Sequence, residues 1–315
     1  MTLPQPRRPA AGAPERVRTW MPPEPYDLRL SLEVLRRGPW DPAFRDGPDG
    51  AVWRATRTPL GPATLRLMPG APVRASAWGP GAEWVLDRLP ELLGAQDSPE
   101  EFVPHHRLVA QAHRRHAGLR LIRTGLVLES LIPSVLEQRV TTGEAYRAWR
   151  LLLRRHGEPA PGPGAGLGMY VMPEPRRLAR VPSWEWHRAG VDGQRSAAVL
   201  RAVAVARRLE EAAAMDLPQA MARLRAVPGI GPWTAAETLQ RSNGHPDALT
   251  VGDLHLPRTV GYTLAAERDA DDARMLELLA PYEGQRHRAA RLIVLAGRRP
   301  PRRKPRMPHM DIARL

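Results

Sequence analysis

The stretch Leu224 to Arg258, LRAVPGIGPWTAAETLQRSNGHPDALTVGDLHLPR, holds the residues of this chain whose types and spacing best suit chemistry. Val227-Pro228-Gly229-Ile230-Gly231 reads as a tight turn between two helices, with glycines that permit positive φ and a close backbone approach by another molecule. Pro232 then fits a first helical position, where the missing amide would have had no helical partner. Amides at Gly229, Gly231 and the start of the next helix would point outward at a positive dipole end, a geometry suited to a phosphate. A Gly-x-Gly turn is also an ordinary corner of a helical core. A basic helical surround and an aspartate after a short loop argue for more than a corner. That aspartate is Asp253, in Thr250-Val251-Gly252-Asp253-Leu254 at the expected start of a helix. An N-cap is a common reason for such an Asp, and a carboxylate held at a helix start can face a cleft as well.

The elements that must position these residues follow from periodicity. Residues 1–23 carry many Pro and Arg and read as a loose arm, with Trp20 and Met21 as residues able to dock on the domain. Over Asp27–Arg37 apolar residues recur at helical spacing until Gly38-Pro39 ends the run. Ala51–Arg57, Ala63–Met68 and Val73–Trp78 alternate apolar with polar residues between Pro/Gly turns, a small antiparallel sheet. Glu83–Leu93 returns to helical period, which completes an α+β unit over 24–104. Helices are expected near 105–116, 127–137, 142–156, 192–213, 217–226, 232–242, 254–265, 272–281 and 285–297. Gly157–Gly168 (GEPAPGPGAGLG) reads as a flexible connection, without the spacing of a dinucleotide fingerprint. The fold class expected is therefore mainly α over 105–297 with a smaller N-terminal α+β domain, and a basic tail over 298–315.

Composition narrows the chemistry. The 315 residues include 47 Lys+Arg against 33 Asp+Glu, a net +14, and no cysteine. Residues 1–100 are nearly balanced, with 13 basic and 12 acidic side chains. The positive excess lies after residue 100, which points to a polyanionic partner there. Without cysteine there is no disulfide, thiolate zinc site, iron–sulfur cluster or thiol nucleophile. The single lysine, Lys304, sits in Arg-Lys-Pro, so a Walker phosphate loop is excluded. His105, His106, His113 and His116 lack a carboxylate partner, and Arg114-Arg115 between them repels cations, against a zinc site. No apolar run approaches the roughly 18 residues of a membrane span, so a soluble, unexported chain is expected.

PGIGPWTA, then roughly twenty residues, then GD before an apolar helix resembles the helix-hairpin-helix DNA glycosylase superfamily, in particular the 3-methyladenine DNA glycosylase II, or AlkA, type. Val135-Leu136-Glu137-Gln138-Arg139-Val140-Thr141 is similar to that family's Ile-Leu-Gly-Gln-x-Val-Ser segment, and Tyr26–Leu93 looks like its N-terminal domain. The resemblance covers roughly residues 24–297. It implies a hairpin, Val227, Gly229, Ile230 and Gly231 with the adjoining Thr234, that holds a DNA phosphate. A monovalent cation at the main-chain carbonyls of Val227 and Ile230 would accompany it, with no metal bound by side chains and no cofactor. It places Gln138 and Arg139 in the gap left by an extruded nucleotide, Asp253 as the catalytic residue and Trp233 in the base pocket. Three pocket positions depart from the pattern: Glu237, Leu254 and Gln285 stand where the family carries aromatics. Glu237 is then either an attractor for a cationic base or a solvated helix residue, while Trp184 and Trp186 are candidate replacement aromatics or packing residues.

The implied activity is monofunctional excision of alkylated purines, 3-methyladenine-like, from double-stranded DNA carrying a damaged base. The implied setting is base excision repair by a monomer in the cytoplasm at the nucleoid. Bifunctional relatives use a hairpin lysine, and Pro232-Trp233 stand there instead. A non-catalytic helix-hairpin-helix DNA-binding or damage-sensing protein is the alternative, disfavoured by the retained Asp253. RNA binding lacks the aromatic strands it would need.

Overall fold

The computed structural model describes residues 14–301. Five antiparallel strands form one sheet: β1 (Arg16–Trp20), β2 (Phe44–Asp46), β3 (Val52–Thr58), β4 (Gly61–Met68) and β5 (Val73–Trp78), in the order β1-β5-β4-β3-β2. The β3–β4 register runs from Val52 opposite Leu67 to Thr58 opposite Gly61, so Pro59-Leu60 makes a two-residue turn. Three short helices accompany the sheet: α1 (Leu28–Leu32), α2 (Ala82–Asp87) and α3 (Leu89–Leu92). Leu28, Leu32, Val85 and Leu89 pack on Val52, Leu65, Leu67 and Val73 in one core.

The remainder is helical: α4 (Arg107–Arg115), α5 (Val127–Leu136), α6 (Thr142–His156), α7 (Pro163–Gly166), α8 (Pro175–Leu178), α9 (Ser183–Arg188), α10 (Gly193–Ala204), α11 (Ala206–Glu210), α12 (Leu217–Arg225), α13 (Pro232–Ser242), α14 (Leu256–Ala265), α15 (Asp272–Leu279) and α16 (Arg286–Leu295). Local chemistry explains the helix starts. Asp27, Asp192, Asp216 and Asp271 cap α1, α10, α12 and α15 through their carboxylates, and Thr141 with Glu144 forms a capping box on α6. α5 runs through the middle of the main helical core, where Leu131 and Val135 meet Trp149, Val199 and Leu239. A second helical cluster joins α4 to α14, α15 and α16 through Val109, Val260, Met275 and Ile293.

Several sequence expectations change. Arg16–Trp20, read as part of a loose arm, pairs with β5 as an edge strand; four of its five residues are exposed, so it had no apolar pattern to announce it. Residues 1–13 of that arm and 302–315 of the basic tail lie outside the described residues. The helix expected over 192–213 breaks at Val205 into α10, α11 and a 3₁₀ turn over Glu211–Ala214. Gly157–Gly168 is ordered: strands Glu158–Pro159 (β6) and Tyr170–Val171 (β7) pair, and α7 lies between them. Thr64 Oγ1 donates to the Pro161 carbonyl at 2.7 Å, which fixes this segment on the sheet. Trp186 is 1 % exposed and donates its indole N–H to the Val181 carbonyl. It is a core residue, which removes it from the candidate aromatics. No helix among the described residues is long and apolar enough to cross a membrane.

Buried charge joins sheet to helices. Glu129 on α5 accepts from Arg54 Nη2 at 2.5 Å, from Thr56 Oγ1 and from the Arg57 amide, while Arg57 pairs with Glu158. Removing one partner of a buried pair leaves the other charge desolvated, at a cost of roughly 3–5 kcal/mol. Glu129→Ala is therefore expected to lower unfolding stability by about 3 kcal/mol or more, read as a lower urea midpoint; an unchanged midpoint would show that water reaches Arg54.

Candidate functional site

The hairpin is built as its sequence suggests. α12 ends at Arg225 and α13 begins at Pro232, and the Ile230 N–H closes the turn on the Val227 carbonyl at 3.0 Å. Val227 and Ile230 are buried and anchor the turn in the core. Gly229 sits at φ +95°, and a Cβ there would meet the Ala198 Cβ at 2.9 Å. Gly231 differs: it has extended backbone, φ −88° and ψ 178°, and open space where a Cβ would stand. The amides of Gly229 and Gly231 make no hydrogen bond among the described residues, and the first-turn amides of α13 follow them, an array of donors at a helix N-terminus. Arg201 on α10 donates from Nε to the Pro228 carbonyl at 2.9 Å, which adds a cation beside the turn.

Gln138 follows the end of α5 and reaches across to this hairpin. Its Nε2 donates to the Gly229 carbonyl at 3.0 Å and to Thr234 Oγ1 at 2.8 Å. Thr234 is buried, so its hydroxyl serves the Gln138 clasp. The next residue, Arg139, is exposed at φ +55°, a left-handed conformation uncommon outside glycine. The chain thus turns sharply at the hairpin and presents a guanidinium outward.

Asp253 stands one loop beyond α13. Its Oδ1 accepts from the amides of His255 and Leu256, each at 2.7 Å, which caps α14. Its Oδ2 accepts from Trp233 Nε1 at 3.0 Å. The loop is tied from behind: Gln240 Nε2 donates to the Ala248 carbonyl and Thr250 Oγ1, and the Gly252 amide donates to Asp272. One carboxylate thus serves the first amides of α14 and the indole of Trp233 at once, and the two sets of bonds fix its direction. The resemblance puts Trp233 in the base pocket, and this donor role is not legible in the sequence, because a spacing of twenty residues across a loop carries no distance.

The other pocket candidates have partners of their own or face solvent. Glu237 is neither solvated nor free: its Oε2 pairs with Arg241 Nη1 at 2.7 Å, and both side chains are largely buried. Burial works against the Arg241 charge, but the carboxylates of Glu237 and Glu137 outweigh it and raise its pKa above the usual arginine value. Arg37, paired to Glu137 at 2.6 Å, is pulled the other way by burial and by repulsion from Arg241. Gln285 spends its Oε1 on Arg288 Nε at 2.8 Å, and Arg288 pairs with Asp97. Leu254 is 68 % exposed and Trp184 67 %. Three of the four histidines, His105, His106 and His113, belong to an aromatic cluster around Tyr282 and Phe102, in which His106 Nδ1 meets the Tyr282 hydroxyl at 2.8 Å and Phe102 contacts His113. No group of three or more metal-ligating side chains occurs among the described residues.

The glycines of the hairpin are expected to respond differently to substitution. Left-handed backbone costs a β-carbon roughly 1–2 kcal/mol, so Gly229→Ala should lower the thermal midpoint by several degrees, while Gly231→Ala should melt with the wild type. Equal melting of the two variants would show that the turn relaxes freely.

Comparison with known proteins finds no family model that matches. The chain is 30 % identical over 232 residues to a protein of Mycobacterium tuberculosis named a probable bifunctional transcriptional activator/DNA repair enzyme AlkA; the match covers 68 % of this chain and 44 % of that one. The chain thus spans less than half the length of that relative. A 3-methyladenine DNA glycosylase from Archaeoglobus fulgidus superposes with a TM-score of 0.69 at 18 % identity, over 86 % of this chain and 95 % of that one. An 8-oxoguanine glycosylase/lyase from Clostridium acetobutylicum, in complex with double-stranded DNA, superposes with a TM-score of 0.66 at 11 % identity, over 85 % and 90 %. Both likenesses are of fold.

Proposed function

We propose that this chain, which resembles the AlkA type of helix-hairpin-helix DNA glycosylase in sequence signature and in fold, is a monofunctional DNA glycosylase that excises alkylated purine bases from double-stranded DNA. The observation that carries the reading is the Asp253 carboxylate, held at the start of α14 by two amides and the Trp233 indole, one loop from an amide-lined hairpin. In this reading the hairpin takes a backbone phosphate, with a monovalent cation on the Val227 and Ile230 carbonyls, and so sets the register of the duplex. Gln138 and Arg139 occupy the gap left by the flipped nucleotide. Asp253 stabilises the positive charge that builds on the deoxyribose as the N-glycosidic bond breaks, or orients the attacking water.

The fold leaves the base open, since similarly folded neighbours bear the names of different lesions. The name of the Mycobacterium relative, a probable DNA repair enzyme, supports the repair reading. Glu237 and Gln285 are engaged by arginines and Leu254 faces solvent, so a sandwich of aromatic faces is not available from those positions. Discrimination then rests on bond lability, which is greatest for cationic lesions such as 3-methyladenine and 7-methylguanine. Trp233 contributes a ring face as well as its N–H. The single lysine of the chain is Lys304, so a hairpin Schiff base has no amine and strand cleavage does not accompany base release. The protein would act as a monomer at chromosomal DNA.

The test is a panel of duplexes, each with one defined lesion, scored for free base. Asp253→Asn should cut release at least about 10²-fold while duplex affinity stays the same or rises slightly, since a negative charge near DNA is lost. Near-wild-type excision by the variant would remove Asp253 from its role, and tight duplex binding by a wild type that releases no base would favour a non-catalytic damage sensor. On the same panel, release of 3-methyladenine or 7-methylguanine should far exceed that of hypoxanthine or 1,N6-ethenoadenine. Trp233→Phe, which keeps a ring and loses the donor, should slow release by about 10²-fold through misplacement of the carboxylate. Robust hypoxanthine release would refute this view of the pocket.

A further inference from the structure

The turn between α1 and the sheet, Arg37-Gly38-Pro39-Trp40-Asp41-Pro42-Ala43, exposes a tryptophan on a rigid mount. Trp40 is 72 % exposed, more than any other large apolar side chain among the described residues, and it has no ring or cation–π contact there. Its base is the opposite. Asp41 is buried and accepts from the Arg37 amide at 2.7 Å, the Ala43 amide at 2.9 Å and Trp149 Nε1 at 3.0 Å. The Pro42 and Ala43 carbonyls accept from the Tyr170 and Ala55 amides at 2.9 and 2.8 Å. Only Pro39 and Trp40 stand out from this anchored loop.

The mount also has a definite address. Gly38, at φ +83°, lies so close to the Tyr146 ring that a Cβ would overlap it, and Tyr146 is in the second turn of α6, just beyond the Arg139–Thr141 bend. Arg37 pairs with Glu137, the residue before Gln138, whose amide group clasps the hairpin. The turn is therefore fastened to the segment that presents Arg139. An exposed indole on an anchored backbone, in a turn fastened to the segment that carries an exposed arginine, has the make-up of a stacking platform for a nucleobase, because every base offers a π face.

We propose that Trp40 is a DNA-contacting residue of the N-terminal domain that stacks on a nucleobase bordering the gap in the duplex. This rests on the glycosylase reading above, and it supplies an aromatic surface from the sheet side. A base exposes its π face where its stacking neighbour is missing, so the contribution is greatest at a gap.

The experiment measures the affinity of the full chain for two labelled duplexes of one sequence, intact and with a single tetrahydrofuran abasic site, for wild type, Trp40→Ala, Trp40→Phe and Trp184→Ala. Trp40→Ala should bind the abasic duplex on the order of 10-fold more weakly and the intact duplex with a smaller loss. Trp40→Phe should keep most of the affinity, Trp184→Ala all of it, and each variant should melt as the wild type does. Wild-type affinity of Trp40→Ala for the abasic duplex overturns the inference and leaves the glycosylase reading standing. An equal loss in Trp184→Ala overturns it too, since any exposed indole would then serve. Failure of the wild type to bind either duplex sinks the DNA-binding reading, and this inference with it.

Discussion

Guanidinium groups carried into the interior set the terms for the rest of this molecule. Arg54, Arg57, Arg37, Arg241 and Arg288 meet Glu129, Glu158, Glu137, Glu237 and Asp97 in pairs whose side chains are mostly buried. A buried charge without a partner is costly by several kcal/mol, so a pair that spans two elements constrains both at once. Four of the five join the N-terminal unit to the helices or bridge its neighbouring hairpin, and Arg241 adds a bond from Nε to the Val34 carbonyl. The sheet is held on the helical body by this charge geometry as well as by apolar packing.

The consequence for the site is one of placement. Glu137 immediately precedes Gln138, and Glu237 lies one helical turn past Trp233 on α13. Thr250 Oγ1 extends toward Glu237 at 3.4 Å from the loop that carries Asp253. The residues that clasp the hairpin and those that hold the carboxylate are thus braced by one ionic group. Within it Asp253 needs only the local chemistry of a helix start and one indole donor to be fixed in direction.

The positive balance of the chain has two parts. Some of the 47 basic residues are spent internally, and their mutual repulsion has visible effects. Burial, with Arg291, Arg241 and Arg288 close by, pushes His287 well below the ordinary histidine value, and burial with Arg241 and Arg288 pulls Arg291 down to about 10. The remainder, Arg139 and Arg201 near the hairpin among them, face outward where a polyanion can meet them. A formal charge count cannot separate these two populations, since it is blind to burial.

The sequence by itself determined the features governed by short-range physics. Apolar spacing located α5, α6 and α13 and the strands β3, β4 and β5, and cap chemistry at Thr141 and Asp192 explains their neighbours' starts. The signature PGIGPWTA followed by GD located the hairpin and Asp253. Tertiary structure decided what depends on partners distant in the chain. The Arg16–Trp20 strand exists because β5 offers an edge, and the Gly157–Gly168 segment is ordered because the sheet lies beneath it. Trp233 became a donor to Asp253, Glu237 became half of a buried pair, Gln285 turned to Arg288 and Trp186 sank into the core. Each of these outcomes is a choice of partner for a polar or aromatic group. Such choices are set by three-dimensional distance and desolvation, neither of which is written in residue spacing.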